Sequence, residues 1–281
     1  MRSARRDSER DGIGGTAAKD RRTGSAPIDV KWLKAAAKLP PSLPKQLVPK
    51  SLKRMVAYVF VGNTQVEVIR MKILGAIGLV IFLFLLVYAP EFFLVSVLHL
   101  SKAAMIPAVI VGSTIMAFAA AGLLAWWRKL RLADFGIRFP EIRYLVYALL
   151  VSMPLGVFSA LGAARVHEPG PLQGVVLAPA LTYLYFAIGA PMQEEFIFRG
   201  LLQTAMADGL RNSVVASWAG VFAVLAVGLL FALIHFEVGP FMAACALVLA
   251  LVAGEFRRRS SSVAPAVVCH AIFNLAAIVL G

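Results

Sequence analysis

Glu194 and Glu195 stand side by side in Gly189-Ala190-Pro191-Met192-Gln193-Glu194-Glu195-Phe196-Ile197-Phe198-Arg199, an otherwise apolar run. Two further polar groups follow in similar surroundings. His235 ends Phe231-Ala232-Leu233-Ile234-His235, and His270 begins His270-Ala271-Ile272-Phe273-Asn274. On a helix, residues four apart share a face. Glu195 can therefore pair with Arg199, which leaves Glu194, about 100° around the helix, as a carboxylate without a partner. Phe231 and His235 project together, as do His270 and Asn274.

This set is chemically sufficient for hydrolysis. A carboxylate in apolar surroundings can act as general base on water, and a histidine can hold that water or carry its proton. A second histidine and an asparagine amide can donate to a developing oxyanion. The chain has no G-x-S-x-G nucleophile elbow and no H-E-x-x-H zinc helix, so attack by water is the simplest chemistry that fits. Zinc is the alternative, with Glu194, His235 and His270 as one carboxylate and two imidazoles. The metal-free route is favoured because an asparagine suits an oxyanion better than a metal.

The elements that position these groups are membrane helices. The chain has 281 residues, 60% of them hydrophobic, with mean hydropathy +0.80. Blocks of about 20 apolar residues read as spans. Seven occur, roughly at 73–98, 103–127, 144–164, 173–199, 213–236, 239–256 and 262–280. Pro90-Glu91 interrupts the first, so its span is expected to end near Tyr88. The expected fold is all-α, a polytopic membrane protein of about seven transmembrane helices with a basic N-terminal tail. Cys245 and Cys269 lie in apolar segments and read as small buried side chains.

The net charge of +13 does not indicate a nucleic-acid partner, because 16 of the 28 Lys+Arg fall within residues 1–72. Residues 1–30 read as disordered and 31–39 as a short basic amphipathic helix. Residues 45–70 are a candidate for the anionic membrane face or a solvated tail. The start is charged and lacks an apolar core, so no secretory signal is expected. The loop charges set orientation. One side collects Lys53, Arg54, Arg70, Lys72, Arg128, Lys129, Arg131, Arg138, Arg143, Arg211 and Arg257–Arg259; the other has Lys102 and Arg165. The N-terminus is thus expected inside, in a bacterial cell membrane. The expected domains are the tail (1–70), N-terminal membrane helices (71–170) and a catalytic core (171–281).

The segment edges create a conflict. A fourth helix ending at Arg199 puts Glu194 and His235 at opposite depths. Running it on through Leu201, Leu202, Ala205 and Met206, with Pro191 as a kink, and starting the fifth near Ala219 resolves this.

Ionisable groups inside a membrane suggest a functional site. Taken singly, a Glu-Glu pair reads as an interfacial charge and a lone histidine as a helix–helix hydrogen bond. In order on three spans, the motifs resemble those of the CPBP family of intramembrane proteases. That group includes the type II CAAX prenyl endopeptidases and the bacteriocin-immunity-like and lysostaphin-resistance-like proteins. The resemblance covers roughly residues 170–280. It implies Glu194 as general base, with His235 helping to activate water. It also implies His270 and Asn274 at the oxyanion, and Glu195, Arg199 and Phe231 in support. The implied reaction is peptide-bond cleavage in or beside the lipid bilayer on a membrane-associated protein or peptide. Two other readings stay open: a non-catalytic scaffold or immunity-type protein, and a proton-coupled carrier.

Overall fold

The computed structural model describes residues 50–97, 102–168, 180, 184–213 and 215–280. The expectations for 1–49, including the disordered segment and the short basic helix, lie outside the described residues. The chain divides at Val59/Phe60, and every contact below lies within Phe60–Gly281. The protein is all-α and polytopic, with no strand among the described residues.

Three helices precede the core: α1 (Lys50–Ser96), α2 (Lys102–Arg128) and α3 (Ile142–Val166). The fourth, α4, is composite. Tyr185–Gly189 and Phe196–Leu202 are π-helical, while Ala190–Glu195 and Gln203–Leu210 are α-helical. Then come α5 (Ala219–Ile234), α6 (Pro240–Ser260) and α7 (Ala264–Leu280). Among the described residues five segments are long and apolar enough to cross a membrane: Val66–Leu94, Ile110–Arg128, Ile142–Val166, Ala216–Glu237 and Pro240–Ser260. The apolar helix α7 is shorter, and α4 is the buried seventh.

One span edge differs from expectation, and two others fall where the depth argument puts them. α1 does not stop near Tyr88 but runs through Pro90 to Ser96. Proline removes only one backbone donor, a loss that membrane helices tolerate. α4 does not end at Arg199 but continues to Leu210, and α5 begins at Ala219, as the depth argument requires.

Burial makes α4 the axis of the bundle. Ile197, Phe198, Leu201, Leu202, Ala205 and Met206 are buried among Ala76, Val80, Leu83 and Val87 of α1, Ala117 and Leu124 of α2, and Val227 and Phe231 of α5. Many large apolar side chains, such as Phe82, Leu85, Phe158 and Leu229, are exposed. An apolar exterior is what a bilayer solvates.

α3 packs most extensively on α7, and its buried residues are small: Ala148, Ser152, Gly156, Ser159 and Ala160. Small residues let membrane helices approach closely. A Cβ on Gly156 would lie 2.8 Å from that of Ala276.

The link after His235 is held from a distance. The Glu168 carboxylate accepts the N–H groups of Phe241 (2.8 Å) and Met242 (2.9 Å), which are orphan donors of the first turn of α6. Gly239 makes this possible. It has φ +147, and a Cβ there would lie 2.2 Å from the Glu168 carboxyl carbon. Glu168→Gln, which keeps one acceptor, should cost about 1 kcal/mol, in the range of a lost helix cap. Gly239→Ala should cost more, since it adds backbone strain and expels the cap. Thermal unfolding of the two variants in detergent checks the order.

Candidate functional site

The site begins with a buried charge pair. Glu195 and Arg199 are 0% and 1% exposed, with Nε 3.0 Å from Oε2. Removing charge from water is costly, and pairing recovers part of that cost. Four-residue spacing predicts this contact, and it forms even though the helix widens into a π-turn between the two residues.

The other carboxylate oxygen has a partner that local spacing does not reveal. His270 of α7 places Nδ1 2.9 Å from Glu195 Oε1. A carboxylate paired with arginine is an acceptor, so Nδ1 carries the proton and donates. Glu195 thus bridges Arg199 on its own helix and His270 on another. Above the pair, the Arg199 guanidinium lies 4.6 Å from the Phe231 ring centroid, a cation–π distance.

Phe231 joins the two histidines. Its ring is 4.5 Å from that of His235 and meets His270 edge-on at 5.8 Å. His235 is fixed further by its own helix, because Nδ1 lies 2.7 Å from the Phe231 carbonyl oxygen. A carbonyl only accepts, so this nitrogen bears the proton. Nε2 of the neutral ring then carries a lone pair.

Asn274 is positioned by a defect in α4. The N–H of Ala190 donates to Tyr185 O, five residues back. In that register Phe186 O would receive the next N–H, from residue 191, but Pro191 has none. Asn274 Nδ2 supplies the missing donor at 3.0 Å. One amide hydrogen is spent there, and the second remains.

Glu194 is half-buried, and its Oε2 is enclosed without a hydrogen-bond partner among the described residues. Tyr88 and Tyr185 lie in its electrostatic neighbourhood, as does Glu91. The structure therefore links Glu195, Arg199, Phe231, His235 and His270 by direct contact. Glu194 sits beside Glu195 in the chain, and Asn274 sits one turn from His270. Among the described residues neither histidine hydrogen-bonds Glu194.

The zinc alternative can be tested on the same geometry. Among the described residues no three His, Cys, Asp or Glu side chains stand where they could hold one metal ion. Glu194, His235 and His270 do not form a ligand set in this structure, so no step is derived through zinc.

Several supporting residues gave no usable signal in the sequence. Gln193 Nε2 donates to Ile110 O of α2 at 3.0 Å. Buried Gln203 donates to Gly254 O of α6 at 3.1 Å. The first tethers α4 beside the site and the second holds it further along the helix. Their one signal was a polar amide within an apolar run. Arg199→Gln should destabilise the fold by about 3–5 kcal/mol, because it leaves the Glu195 charge buried with less compensation. Denaturant titration in detergent micelles measures this.

Residues 176–276 match the family model described as "Type II CAAX prenyl endopeptidase Rce1-like". No curated protein matches the chain, and no solved structure matches it. The matched residues hold all three motifs, on α4, α5 and α7, in one helical membrane bundle. Over residues 176–276, the chain is similar to the Rce1-like type II CAAX prenyl endopeptidases, which supports a CPBP-type intramembrane protease.

Proposed function

We propose that the protein hydrolyses a peptide bond in or beside the membrane, using water activated by Glu194. One observation carries this reading: Glu195 is held by an ion pair with Arg199 and a hydrogen bond with His270, while the neighbouring Glu194 has an enclosed oxygen and, among the described residues, neither kind of partner. Glu194 takes a proton from water as the oxygen attacks the carbonyl carbon. That proton passes to the leaving amine when the C–N bond breaks. His235 holds the water through Nε2, the nitrogen left unprotonated by its bond to Phe231.

Asn274 gives its second amide hydrogen to the oxyanion. His270 has already given its Nδ1 proton to Glu195. It reaches the oxyanion as a donor only if Nε2 is also protonated, as imidazolium. Glu195 and Arg199 brace His270, and their burial leaves them no surface with which to grip substrate. The substrate class is a membrane-associated protein or peptide. The domain reading follows: residues 171–281 form the catalytic core, 71–170 the helices around it, and 1–70 a basic tail. The arginine-rich end of the bundle is placed at the cytoplasmic face.

The test uses full-length protein in liposomes with a panel of quenched peptides, prenylated and unprenylated. Glu194→Gln should lower cleavage by about 10²–10⁴-fold, the usual worth of a general base, at unchanged folded yield. Full activity in that variant would refute the assignment. If wild type cleaves nothing and Glu194→Gln still complements a deletion strain, the fold serves as a scaffold instead.

A further inference from the structure

At the far end of α4 from Glu194 lies a cavity of about 310 Å³ that has no part in the proposed hydrolysis. Its lining includes Asp134, Thr204, Asp208, Arg211, Arg257 and Arg258. Thr204 is ten residues beyond Glu194, roughly 15 Å along the helix axis at 1.5 Å per residue.

The charges around this cavity do not balance. Asp208 is engaged by Arg128 Nε at 3.0 Å and Arg211 Nε at 3.8 Å. Asp134 Oδ2 accepts the backbone N–H of Arg131 at 2.7 Å. Arg258 is held by both oxygens of Glu255, which also takes Arg259. Arg257 has only neutral partners: Nη2 donates to Asp134 O at 2.6 Å and lies 3.4 Å from Thr204 Oγ1. Its Nε is buried without a partner, and the Asp134 carboxylate acts on it electrostatically without forming an ion pair with it. Arg138, bonded through Nε to Ser261 O, is a second cation nearby. A partly buried guanidinium with no carboxylate in direct contact is costly.

The depth of the cavity identifies the counter-ion. Trp126 and Trp127 precede Arg128, and Trp218 adjoins the lining residue Ala219; all three are exposed. Exposed tryptophans mark the headgroup level of a bilayer. Lys72 of α1, bonded to Asn212 O, adds another cation at this end. We infer that this cavity is a binding site for a phosphate group, with Arg257 as its central ligand. Arg257 lines the cavity and brings a permanent charge that a phosphate would neutralise. Basic pockets between membrane helices take phospholipid headgroups in this way.

The experiment places full-length protein in nanodiscs of phosphatidylcholine alone, or mixed equally with phosphatidylglycerol. Native mass spectrometry counts the lipids retained. Wild type should keep phosphatidylglycerol in preference to phosphatidylcholine. Arg257→Gln should lower that retention about tenfold, the worth of one charge-assisted bond. Ala216→Phe fills the cavity and keeps every charge. It should lower retention similarly, and it decides the matter if Arg257→Gln fails to fold.

Arg259→Gln, outside the cavity, should retain lipid as wild type does. Excess inorganic phosphate separates the sources. Displacement of the lipid supports the phosphate site with a soluble ligand, and persistence supports it with the headgroup. Unchanged retention in Ala216→Phe, or an equal loss in Arg259→Gln, would overturn the inference, since a diffuse basic surface would then suffice.

Discussion

The carboxylate of Glu195 is shared between an arginine and a histidine in a buried region. Arg199 lies one turn along the same helix, while His270 comes from a helix 75 residues further on. An apolar bundle has few directional contacts, because its side chains are as content with lipid as with one another. A buried ion is different: its stability depends on groups at fixed places. Sharing one carboxylate therefore ties α4 to α7 more tightly than packing would. Phe231 is brought in by the same charge, through the guanidinium above its ring. His235 then stacks on Phe231, and the site is assembled around Glu195 even though Glu194 is the residue proposed to do the chemistry.

Everything near that carboxylate supports α4. Gln193 ties it to α2 and Gln203 to α6, and aliphatic residues of α1, α2 and α5 cover the remainder. The two π-stretches flank the Glu194–Glu195 turn. Wider turns leave backbone groups looking for partners, and π-bulges are frequent at functional sites for this reason. The Phe186 carbonyl shows the effect, since its donor comes from another helix.

Short-range relations were legible in the sequence. The Glu195–Arg199 pairing follows from a spacing of four, as does the joint projection of Phe231 with His235. The seven apolar segments are recognisable because hydropathy is a sum over residues. The long-range bonds were not legible, and the reason is physical. Whether His270 meets Glu195, or Glu168 caps α6, depends on how helices rotate against one another. That in turn depends on small residues such as Gly156, whose meaning appears only against Ala276. One span edge failed for a related reason. Hydropathy does not register that α1 can absorb Pro90, and it was the depth argument that carried α4 past Arg199.

The bond between Asn274 and the Phe186 carbonyl links two distant positions in heritable terms. Proline at 191 creates a vacancy in the backbone, and asparagine at 274 fills it. Any other residue at 191 would return an N–H to the helix and release 274 from that duty. A lineage that keeps this proline must keep a donor opposite it, so the two codons are under one constraint although 83 positions separate them. The motif asparagine then answers to the helix as well as to the proposed reaction, and only the first demand can be lifted by a change elsewhere in the chain.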